Sequence, residues 1–95
     1  MPVFYRGRRE DNPAGSILVR VFALPHGLSC VVSWPAPEPG LRVFSPTPSR
    51  PEMVADALPY ALHLSERASL PVTVELEPGL DWQPEWGELR DWEDG

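Results

Sequence analysis

From Ser16 to Leu24 the chain reads SILVRVFAL, and from Leu28 to Trp34 it reads LSCVVSW, two runs rich in branched and aromatic residues. Both predict β-strands. Pro25, His26 and Gly27 lie between them, and Gly27 can take the positive φ that a tight turn requires, so the pair is expected as an antiparallel hairpin. Alternation sets Ile17, Val19, Val21 and Ala23 on one face of the first strand and Leu18, Arg20, Phe22 and Leu24 on the other. In the second strand Cys30, Val32 and Trp34 are assigned to the core, opposite Val31 and the two serines, Ser29 and Ser33. Leu41 to Ser45, LRVFS, is a shorter third run. The prolines of PAPEPG before it and SPTPS after it lack amide donors, which suits an edge position.

From Ser49 the period changes. Val54, Ala57, Leu58, Ala61, Leu62 and Ser65 form one stripe at helical spacing. Ser49 and Glu52 stand three apart as in a capping box, Pro51 fits a first turn, and Arg67 suits the negative pole of the far end. Pro59 falls inside this helix and predicts a kink near Ala55 to Leu58, with a break into two short helices as the alternative. Pro71 ends the segment, Val72 to Leu76 alternates as a fourth strand, and Pro78 and Gly79 form a turn. The order β-β-β-α-β predicts an α+β domain: a small antiparallel sheet of three to four strands with one kinked helix packed on one face. Three segments result: a basic N-terminal arm over 1–15, a single domain over 16–79, and an acidic, Trp-rich tail over 80–95.

Charge sharpens this division. The net charge of −6 is concentrated at one end, because Glu75, Glu77, Asp81, Glu85, Glu88, Asp91, Glu93 and Asp94 face only Arg90, whereas Arg6, Arg8 and Arg9 cluster in the arm. Three arginines are thin support for phosphate binding, so direct nucleic-acid recognition is not expected. A basic protein partner suits the acidic end. Cys30 is the sole cysteine and has no disulfide partner within the chain, and no apolar run approaches the ~18 residues of a membrane span. The N-terminus also lacks a secretory-type apolar stretch, and a cytoplasmic protein is expected.

Gly27, then Val32, Ser33, Trp34 and Pro35, then Pro39 and Gly40, then Ser49, Glu52, Ala57 and Ala61 trace a turn glycine, a Val-Ser-aromatic-Pro run, a Pro-Gly and a capped amphipathic helix. In that succession residues 17–76 resemble the HicB-like antitoxin fold. The loop before Gly40 is longer than in that family, Pro59 interrupts the helix, and no DNA-binding segment follows. The resemblance implies a non-catalytic protein that sits on a small basic nuclease, or another nucleic-acid-handling partner, and inhibits it. A phage-type inhibitor of a host defence complex, anti-CRISPR-like, is the alternative. A small enzyme and a structural subunit, forming a homodimer through the exposed strand Leu41 to Ser45, rank below both.

An enzyme would draw on His26, His63 and Cys30, but Cys30 is assigned to the core, where cysteine behaves as a small hydrophobe. No CxxC or HxxxH spacing suggests a metal, and no cofactor is expected. The tail is the more distinctive feature. If Asp81 caps a short helix, Trp82, Trp86 and Leu89 share one face, and tryptophans so placed need a cover. The protein's own sheet supplies one answer. A partner supplies the other, and the partner-binding set is then Trp82, Trp86 and Trp92 with Glu85, Glu88 and Asp91.

Overall fold

The computed structural model describes residues 2–7, 16–25, 27–35 and 38–91, with Asp91 described in its backbone only. Along the chain run β1 (Val3–Arg6), β2 (Ile17–Leu24), β3 (Gly27–Trp34), β4 (Gly40–Phe44), α1 (Val54–Ala68), β5 (Val72–Leu76), a single 3-10 turn (Pro84–Trp86) and β6 (Glu88–Asp91). The strands form one six-stranded sheet in the order β4-β3-β2-β5-β1-β6. The α+β class therefore holds. The expected sheet of three to four antiparallel strands does not: only β2–β3 and β3–β4 pair antiparallel, while β2–β5, β5–β1 and β1–β6 are parallel. The two additional strands come from the segments read as an arm and a tail.

The hairpin forms as the alternation dictates. Val21 lies opposite Cys30 and Val19 opposite Val32, while Ile17, Val19 and Val21 pair alongside Val72, Val74 and Leu76. These residues make the sheet side of the core, and Val54, Ala57, Leu58 and Ala61 of α1 close it from above. Trp34 packs on this side too, its ring centroid 6.0 Å from Tyr60. β4 takes the edge, where Arg42 stacks over the rings of Phe44 and Tyr60 at 4.8 Å from each centroid.

The helix begins later than the capping box predicts. Thr47 and Arg50 bridge to each other, and Thr47 Oγ1 accepts from the Arg50 amide at 3.1 Å, so Ser49 sits in a closed turn and caps nothing. Glu52 does the capping, its carboxylate accepting from the amides of Val54 and Ala55. That placement follows from a clip on β3, where the Leu28 amide donates to the Pro51 carbonyl at 2.9 Å and the Met53 amide to the Leu28 carbonyl at 3.3 Å. With Pro51 to Met53 held as extended chain, helical dihedrals start only at Val54. α1 runs unbroken through Pro59, which excludes the two-helix alternative. Pro59 and Ala55 are both exposed, so the Ala55 carbonyl that loses its partner can be solvated. Ser69 ends the helix in the left-handed conformation, at φ 56° and ψ 42°.

One helix is ~10–12 Å across and strands lie ~4.8 Å apart, so α1 can roof only two or three of six strands. It lies over β2 and β3. Phe4 of β1 is nonetheless fully buried. Its cover is the chain between β5 and β6, which crosses the helix side of β1 and lays Trp82 against Phe4, with Trp86 packed behind it. Trp82 stands 5.6 Å from Phe4 and 5.2 Å from Trp86, centroid to centroid. This connection and the one through α1 step the same way along the sheet on the same face, as the single hand of parallel crossovers requires.

Candidate functional site

Among the described residues the second face of the sheet carries no helix. At the end where β2 and β5 begin it is closed: Ser16, Leu18 and Thr73 are buried, and Thr73 Oγ1 donates to Ser16 Oγ at 3.0 Å. At the end where those strands finish it opens into a groove of about 640 Å³ lined by Arg20, Phe22, Val31, Glu75 and Glu77. Arg20 Nε donates to Glu75 Oε1 at 2.9 Å, and Glu77 Oε2 accepts from the Ala23 amide at 2.8 Å. Both carboxylates are thus held in place by partners on β2. Phe22 and Val31 supply an apolar floor beside them, an arrangement that can take the stem and charged head of a lysine or arginine.

After Glu77 the chain turns to the helix side of the sheet, and the crossover there carries further carboxylates. Asp81, Glu85 and Glu88 are exposed, and Glu88 forms an ion pair with Arg90 across one residue of β6. The backbone between these carboxylates is tied down by Leu80, Trp82 and Trp86, which pack into the core. Trp86 is 9% exposed, and Trp82 Nε1 donates to the Gly87 carbonyl at 3.0 Å. Of the two covers open to Trp82 and Trp86, the structure provides the protein's own core, with Leu89 packed beside them. Pro84 does open the local turn as its missing amide allows, but the element is a single 3-10 turn rather than a helix. Trp92 lies outside the described residues, as do Arg8, Arg9 and the Asp91 side chain.

The groups named for catalysis do not assemble among the described residues. Cys30 is fully buried, and that burial, with a smaller contribution from the Glu52 carboxylate, pushes its thiol up to about 12. His63 is exposed on the outer side of α1, and His26 is outside the described residues. No group of three His, Cys, Asp or Glu among the described residues could hold a metal ion. No helix of the described residues is long and apolar enough to cross a membrane.

A checkable consequence concerns Cys30. At pH 8 the native protein should leave a chromogenic disulfide reagent unreacted over a time in which the denatured chain releases one thiol equivalent, because only the thiolate attacks. The folded value lies above the ordinary 9.0, so the unfolded chain ionises first. Stability is therefore unaffected by this group below pH 9 and falls as pH rises from 9 towards 12. Rapid labelling of the native protein would contradict this placement.

No family model, curated protein or solved structure matches this chain. Its class is that of a small α+β protein with a mixed six-stranded sheet, and its function has to be argued from its surface.

Proposed function

We propose that the protein is a non-catalytic acidic binding protein that inhibits a basic, nucleic-acid-handling partner, in the antitoxin-like manner implied by the resemblance over residues 17–76. The observation that carries the reading is the placement of Glu77, Asp81, Glu85 and Glu88, all exposed, along a crossover pinned by Trp82 and Trp86. Carboxylates at fixed positions stand in for phosphates on a surface built of Lys and Arg, and the encounter is steered by opposite charge. The groove at Glu75 and Glu77, on the face away from the helix, offers a separate pocket for one basic side chain.

This reading moves the contact from the tryptophans to the carboxylates between them. The tryptophans act on the interface indirectly, by fixing the backbone that displays the charge and so lowering the ordering cost of binding. The test is capture from the source cell with the parent and with a Glu77→Gln, Asp81→Asn, Glu85→Gln variant. The three substituted positions are exposed, so the variant should melt with the parent. The parent is expected to retain a basic protein that the variant loses. Equal capture by both would overturn the proposal.

A further inference from the structure

Among the described residues the sheet has two open edges of opposite character. β6, at one end, presents Glu88 and Arg90, the kind of charge that discourages pairing. β4, at the other, presents Leu41 and Val43 on the face away from the helix, 64% and 52% exposed, and no proline or bulge interrupts it. With Leu24 these are the large exposed hydrophobics of the described residues. The one charge of β4, Arg42, is engaged with Phe44 and Tyr60 on the helix side, so the face that Leu41 and Val43 present is left uncharged.

We infer that β4 is a self-association surface, and that two copies of this chain pair antiparallel through it to form a continuous twelve-stranded sheet. Charge selects this occupant. Pairing through β6 would bring two acidic strips together, and pairing β4 to β6 would leave an edge at each end and propagate as a filament. β4 to β4 closes on itself and holds the acidic crossovers at opposite ends of the assembly. Arg42 also disfavours a basic strand from another protein at this edge.

Side-chain chemistry fixes the register. A two-fold axis at Arg42 would set two guanidinium groups directly opposite each other, a destabilising arrangement. An axis at Val43 sets Val43 against its own copy and Arg42 against Phe44 of the second copy, repeating the cation–ring contact that Arg42 already makes with its own Phe44. Five residues of strand with a flanking apolar strip lie at or below the ~1,200 Å² low end of specific interfaces, so association in the micromolar range is expected. A dimer would present two acidic strips, which raises avidity for a partner with repeated basic sites.

Sedimentation velocity from high to low micromolar concentration tests this. The parent should double its apparent mass at the upper end, and Val43→Lys should remain a monomer with an unchanged melting temperature. A second arm is independent of that variant's folding: Val43→Cys under mild oxidation should yield a covalent dimer, whereas Glu85→Cys, at the opposite end of the sheet, should not. A parent that stays monomeric throughout, a Val43→Lys variant that still dimerises, assembly beyond the dimer, or a Val43→Cys protein that does not cross-link would each overturn the proposal.

Discussion

Cutting the chain after Gly79 is expected to leave a remnant that does not melt cooperatively. The cut removes Leu80, Trp82, Trp86 and Leu89 from the core and strips β6 from β1, so Phe4 loses the Trp82 ring packed against it. Each large aromatic buries ~150–250 Å², and loss of a single buried aromatic commonly costs ~3–5 kcal/mol. A chain of 95 residues has about 5–14 kcal/mol of stability in total. Loss of two tryptophans, two leucines and a strand pairing therefore consumes most of what is available. Thermal melts followed by tryptophan-independent circular dichroism would show a broad, low transition. A remnant melting cooperatively near the parent would mean that the crossover only rests on the core.

Gly27→Ala is expected to be the most damaging single methyl in the protein. Gly27 has φ +148°, and a Cβ built there would lie 1.8 Å from the Pro51 carbonyl oxygen. That oxygen cannot withdraw cheaply, because it accepts from the Leu28 amide in the clip that positions the start of α1. Relief requires parting β3 from Pro51, which breaks both hydrogen bonds of the clip and frees the chain that leads into α1, at an expected cost of at least ~3 kcal/mol. Gly79→Ala is the control. Gly79 also has positive φ, at +96°, but open space around its Cβ, so it should show backbone strain alone, ~1–2 kcal/mol. Denaturant midpoints would separate the two, and equal losses at both positions would contradict the clip.

The central hairpin and the core-facing side of β2, β3 and β5 were legible because local alternation decides them, and the edge position of β4 because prolines flank it. Val21, Cys30 and Leu76 share a face wherever their strands meet. β1 and β6 were not legible, since VFYR and ELRD are too short and too charged to announce strands, and both are strands only through pairing with β5 and with each other. The helix start was misplaced for a related reason. Ser49 and Glu52 have the spacing of a cap, but a non-local contact, Leu28 with Pro51 and Met53, claims the backbone between them. For the candidate site, the acidic run was visible as composition, whereas the inward direction of Trp82 and Trp86 depends on Phe4, some eighty residues away in sequence, whose burial no local pattern reveals.

Salt separates the proposed electrostatic interface from an apolar one most directly. With the partner captured from the source cell, affinity should be titrated at 0.1 M and at 1 M salt, where the Debye length falls from ~10 Å to ~3 Å. Recognition through Glu77, Asp81, Glu85 and Glu88 predicts at least ~10-fold weaker binding at the higher salt, with most of the loss in the association rate. The Glu77→Gln, Asp81→Asn, Glu85→Gln variant should already bind weakly at low salt and change little further. An affinity that is the same at both salt concentrations, and the same for parent and variant, would contradict the account.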